Sequence, residues 1–137
     1  MRAQLTNALA EAPASDAAAR SAVTALQGVD AASRCAGGDH RDRQPIELSA
    51  ARLGGLSLVG IGGEPFLSLR RDLAERLGPR VVLLGYTNGY AGYVPDAPAF
   101  DHAGYEVLVS PFDRDAAAGV VAALHDLSAH LTPEARP

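Results

Sequence analysis

Two short apolar runs constrain this chain most. Leu56-Ser57-Leu58-Val59-Gly60-Ile61 ends in Gly62-Gly63-Glu64-Pro65-Phe66, and Val81-Val82-Leu83-Leu84 ends in Gly85-Tyr86-Thr87-Asn88-Gly89-Tyr90-Ala91-Gly92-Tyr93-Val94-Pro95. Apolar runs of this length bounded by glycine read as buried strands. Each then runs into a polar, turn-forming loop. Two such strands in one sheet can bring both loops to one edge, which is where open α/β sheets build their sites.

The rest of the chain fits an α/β layer. Ile46–Ala50 alternates and reads as a strand with one exposed face. Leu53-Gly54-Gly55 is a tight turn, so this strand and Leu56–Ile61 form a hairpin. Pro65 suits the first turn of a helix, where its missing N–H is not needed. Phe66, Leu69, Leu73 and Leu77 follow at helical spacing, and Gly78-Pro79 stops that helix. Val81–Leu84 is expected as a second central strand. A long loop from Tyr86 to Tyr105 follows, then a short strand over Tyr105–Val109. Asp113 can cap a last helix that presents Ala117, Val120, Val121, Leu124, Leu127 and Leu131 on one side and ends at Pro133.

The N-terminal third differs in character. It is alanine-rich, and Ser15 or Asp16, after Pro13, can cap a helix through Ala19, Ala22, Val23 and Leu26. Its apolar face is small, so it needs a partner surface. Residues 33–45 read as a charged, glycine-containing loop. The expected organisation is a variable helical segment and loop over 1–45 and an α/β domain over 46–132, a small mixed sheet covered by helices.

A chain of 137 residues holds one modest core. Aromatic content is only 5%, so aliphatic side chains and alanine must fill that core. The net charge of -4 and the lack of a basic block argue against nucleic acid as a partner. No apolar stretch approaches the roughly 20 residues of a membrane span. Leu5 and Leu9 are too isolated for a signal-peptide core, so a cytoplasmic location is expected. Cys35 is the single cysteine, which excludes an internal disulfide, and nothing around it suggests a nucleophile.

Glu64 is the leading site candidate. Glycines before it and a proline after it let backbone approach a ligand closely, and a carboxylate is a good ligand for zinc or water. A carboxylate near a helix N-terminus also gains electrostatic stability, which is the structural alternative. Tyr90 and Tyr93, three apart in a turn, can point into one pocket. A phenol can ligate a metal weakly or donate to the charge that develops on an attacked carbonyl. Tyr86, at a strand end, reads as core, and Asn88 as a residue bonding its side chain back to the loop. His102 is the histidine nearest these motifs and reads as a solvent-facing or loop-bracing residue rather than a metal ligand. His125 and His130 are five apart on a helix, which does not place them on one face. Gly60-Ile61-Gly62-Gly63 lacks the spacing of a dinucleotide fingerprint.

Taken together, Leu53-Gly54, Leu58-Val59, Gly63-Glu64-Pro65-Phe66, Asn88-Gly89-Tyr90, Gly92-Tyr93-Val94-Pro95, Gly104-Tyr105-Glu106 and Ser110-Pro111-Phe112 resemble the C-terminal portion of the catalytic domain of neutral/alkaline ceramidases and their bacterial relatives. The resemblance runs from Ile46 to Leu131. It implies a zinc-dependent amidase that cuts an N-acyl bond, with two histidines, a glutamate and a tyrosine around the metal. The glutamate falls on Glu64 and the tyrosine on Tyr90 or Tyr93. The histidines of that family lie in an N-terminal portion that this sequence does not contain. The resemblance therefore implies a site completed by another chain, with an N-acyl lipid or small acyl amide as substrate, or else a non-catalytic binding domain of that descent. A homodimer, or a complex with a chain resembling the missing portion, is expected in either case.

Overall fold

The computed structural model describes residues 4, 6–7, 17–36, 44–102 and 104–131. Pro13, Ser15, Asp16, Gly37, Gly38, Asp39, His40 and Pro133 lie outside the described residues, as does the side chain of Cys35. The elements in chain order are α1 (Ala17–Ala36), β1 (Leu48–Leu53), β2 (Leu56–Ile61), β3 (Glu64–Pro65), α2 (Leu67–Leu77), β4 (Val81–Leu84), β5 (Tyr93–Val94), a 3-10 turn (Ala97–Asp101), α3 (Tyr105–Val109) and α4 (Ala116–Ala129). The expected small mixed α/β fold with a helical N-terminal segment is the fold observed.

β1 and β2 form the expected antiparallel hairpin, closed by Leu53 opposite Leu56. Gly54 supplies the positive φ of 58° that this turn requires. β2 and β4 are parallel, with Val59 beside Leu83, so both chains leave the sheet at the same end. The strand order is β1-β2-β4. Val81–Leu84 is therefore an edge strand rather than a second central one, and Val82 and Leu84 remain exposed on it.

Alternation along the strands decides what is buried. Val59, Ile61 and Val81 point to one face and meet Leu69 and Leu73 of α2 and Val120, Val121 and Leu124 of α4. That single layer is the core. α4 begins at Ala116 with Asp115 at its N-cap, not Asp113; the Asp113 carboxylate instead accepts from the Asp115 N–H at 3.1 Å and shapes the preceding turn. Ala117, Val120, Val121 and Leu124 form its buried face, and Leu127, expected on that face, is 38% exposed. Leu127 continues the helical spacing without being covered, so periodicity alone overextends the stripe.

Three other expectations change. The first strand covers Leu48–Leu53 rather than Ile46–Ala50, because its register is set by the hairpin. Residues 33–36 continue α1. Tyr105–Val109 is a helix, with Gly104 at its N-cap and the Leu108 N–H bonded to Gly104 O at 3.0 Å. Its β-branched composition is overridden by packing against α1. There a Cβ on Gly28 would lie only 3.1 Å from the Leu108 Cβ. α3 is thus a partner surface for α1, meeting it at Gly28 and Leu108, and Ala19 and Ala22 of α1 are also buried. None of the described helices is long and apolar enough to cross a membrane.

Leu124→Ala should cost about 2–5 kcal/mol, because Leu124 is fully buried between α2 and the sheet. Leu127→Ala should cost under about 1 kcal/mol. Urea unfolding of the two variants measures both, and equal losses would show that the α4 face is assigned wrongly.

Candidate functional site

The site is built where β2 and β4 end. Because these strands are parallel, the Gly62-Gly63-Glu64 loop and the Tyr86–Tyr93 loop leave the sheet side by side. Backbone bonds then stitch them together. The Tyr86 N–H donates to Gly63 O at 2.8 Å, Thr87 to Ile61 O at 3.0 Å, and Ala91 to Gly62 O at 2.7 Å. Glu64 pairs with Tyr93 and Pro65 with Val94 as a short parallel ladder.

Pro65 is therefore in a strand and not in the first turn of α2. The ladder uses the N–H groups of Glu64 (to Gly92 O, 2.9 Å) and Phe66 (to Val94 O, 3.2 Å), so the residue between them needs no donor. Gly63 is required by close approach: a Cβ there would sit 2.8 Å from the Gly92 carbonyl oxygen. Val94 is fully buried in the core, which turns its neighbour Tyr93 to the opposite side. Ser110 braces the ladder. Its hydroxyl donates to Tyr93 O at 2.9 Å and accepts from the Phe112 N–H at 3.1 Å.

Tyr86, Tyr90 and Tyr93 gather around Glu64, and Tyr105 joins them through Tyr93. Tyr86 and Tyr90 are stacked, with ring centres 5.5 Å apart and planes 9° from parallel. Tyr93 and Tyr105 meet edge to face at 6.2 Å. Tyr90 and Tyr93 thus stand in two separate ring pairs, joined through the field of one carboxylate. Tyr86 is the residue that sequence reasoning missed. It is 59% exposed rather than core, and it holds a φ of 57°. The signal that could have found it is its place at a strand end, directly before a glycine-rich loop.

Glu64 as a hydrogen-bond acceptor for the Tyr86 hydroxyl, with some burial and the negative charge of the carboxylate, pushes the phenol up to about 12. Since this side chain is well exposed, the carboxylate contact is the main cause. Burial and then the Glu64 charge also raise Tyr90 and Tyr93 above the usual phenol value. All three rings accordingly keep their protons at neutral pH and present O–H donors beside one carboxylate.

His102 is exposed and closes the 3-10 turn through its N–H to Ala99 O at 3.1 Å. His125 lies 3.2 Å from Asp126 on α4. Asn88 adopts a φ of 62°, and no side-chain bond back to its loop forms among the described residues. Also among the described residues, no three of histidine, cysteine, aspartate and glutamate come together as a metal site. Zinc sites in proteins draw three or four ligands, so Glu64 with its tyrosines does not by itself fit a zinc ion. No family model, curated protein or solved structure matches this chain.

Gly63→Ala should destabilise the fold by at least about 1 kcal/mol, since the contact made is to backbone that cannot turn aside. A lowered urea midpoint at unchanged slope is the expected reading, and an unchanged midpoint would mean that the loops are not interlocked. Titration of phenolate absorbance should show one tyrosine ionising near 12. In Glu64→Gln that midpoint should fall toward the ordinary value of 10.0. The raised value also fixes a sign: the proton on Tyr86 contributes stability in full below pH 10 and loses it as pH rises toward 12.

Proposed function

We propose that this chain supplies half of a zinc-dependent amide-hydrolase site resembling that of neutral/alkaline ceramidases, acting on an N-acyl substrate, with the histidine ligands brought by another chain. The observation that carries the reading is the pairing of Glu64 with Tyr93, which gathers residues far apart in sequence around one carboxylate. Glu64, Tyr90, Tyr93, Tyr105 and the Ser110 brace all belong to the motifs on which the resemblance rests; Tyr86 does not.

The roles open to these residues follow from their protonation. Neutral phenols of Tyr90 and Tyr93 can donate to the oxygen of an amide carbonyl as charge builds on it. Tyr86, which stands beside Glu64, can donate to it and so orient the carboxylate. Glu64 can take a metal ligand position only when a second polypeptide provides the remaining donors.

A second reading has a specific observation in its favour. Val82, Leu84, Tyr86 and Tyr90 are exposed together on the edge strand and the loop that leaves it. Exposed apolar surface of this kind also suits a non-catalytic binding or interaction domain, as a homodimer or with a larger partner.

Co-purification from the native source separates the two. On the hydrolase reading, the chain brings down a histidine-bearing polypeptide, and stoichiometric zinc is found in the complex but not in the chain alone. Glu64→Gln in that complex should cut zinc affinity or N-acyl hydrolysis about 10- to 100-fold. Tight zinc binding by the isolated chain, or a complex without hydrolysis, would overturn it. Partner capture without zinc or hydrolysis is the outcome that the binding-domain reading expects.

A further inference from the structure

Beside the tyrosine cluster lies an open pocket of about 360 Å³. That is at the small end of ligand sites, which run from about 300 to 1,000 Å³. Gln44, Ile46, Glu47, Gly62, Asn88 and Tyr90 are among the residues that line it. Its lining is built into the fold. The Gly62 N–H donates to Glu47 O at 2.8 Å, and the Ala91 N–H donates to Gly62 O at 2.7 Å. Those two bonds tie the segment carrying Glu47 to the loop carrying Tyr90. Asn88, two residues before Tyr90 on that loop, lines the pocket in a left-handed conformation.

The chemistry of the described lining is one-sided. It offers a carboxylate, two side-chain amides and a phenol ring. No basic residue lines it among the described residues. Glu64, close enough to act on Tyr90, adds a second negative charge nearby. The described lining gives an anion no positive partner. A cation with N–H donors could bond Glu47 and the amide oxygens while resting against the electron-rich face of Tyr90.

We propose that this pocket binds a small protonated amine, held by Glu47, Asn88 and the ring of Tyr90. Where the pocket is read together with the proposed amide hydrolysis, an inference that rests on that reading, the amine is the leaving half of the substrate. Cleavage of an N-acyl bond releases an amine, which takes up a proton at neutral pH. The pocket volume and polarity then select amides whose amine half is small and polar.

The test uses the isolated full chain and needs neither zinc nor turnover. Ethanolamine is titrated at neutral pH while the amide resonances of Gly62, Gly89 and Ala91 are followed by NMR, with ethylene glycol and acetate as the neutral and anionic comparisons. Saturable shifts in the millimolar range are expected for ethanolamine. Its binding should be about three- to tenfold tighter than that of ethylene glycol and should weaken as salt is added. Glu47→Gln should abolish this preference, and Tyr90→Leu should reduce it, with the amide spectrum reporting that each variant is folded. Equal binding of ethylene glycol or acetate, or a preference that survives Glu47→Gln, would overturn the proposal. Failure to find a zinc-bearing partner would count against the hydrolase reading and leave this result standing.

Discussion

The backbone pairing of Glu64 with Tyr93 is the interaction on which the site depends. It exists because two parallel strands, β2 and β4, end together and hand their chains to loops that cross within hydrogen-bonding distance. The crossing is close enough to exclude any side chain at Gly63. One buried residue, Val94, then decides the direction of its neighbour. Without that ladder the carboxylate would stand on one loop and the phenols on another, with no shared field. The upward shift of Tyr86 follows from this placement, and for Tyr90 and Tyr93 the Glu64 charge adds to the larger effect of burial.

The remainder of the fold serves to hold those strand ends still. α2 and α4 cover one face of the sheet and fill it with leucine and valine. The motif pieces beyond the loops act from behind. Ser110 clamps the Tyr93 backbone, Tyr105 packs edge-on against the Tyr93 ring, and α3 carries Tyr105 on a helix seated against α1. The alanine-rich N-terminal helix thus bears on the site indirectly, through the one short helix that touches both.

The opposite face of the sheet carries Leu53, Val82 and Leu84 in exposed positions, and the aromatic pair Tyr86 and Tyr90 continues that surface toward Glu64. A low aromatic content could have left the chain without any rigid, amphipathic surface. Its four tyrosines instead lie in one place as two ring pairs, with Glu64 beside three of them.

Much of this was legible in the residues because local signals agree with the tertiary result. The β1–β2 hairpin, the strand at Val81–Leu84, the Leu69 and Leu73 face of α2, and the Glu64 and Tyr90–Tyr93 loops as neighbours all follow from periodicity, turn chemistry and strand ends. The expectations that changed are those decided by contacts remote in sequence. Tyr105–Val109 has the composition of a strand, yet α1 supplies a surface that a helix fits. Pro65 has the look of a helix start, yet the segment from Gly92 to Val94 takes the bonds on either side of it. Tyr86 reads as core until the positive φ at the strand end turns it outward to Glu64. Sequence alone determined which segments could be strands and helices and which residues had chemistry to offer, because those properties are local. Only the tertiary structure decided which strand was an edge, how the two loops interlocked and which phenols faced the carboxylate. Those depend on pairings between residues far apart along the chain, for which no local rule exists.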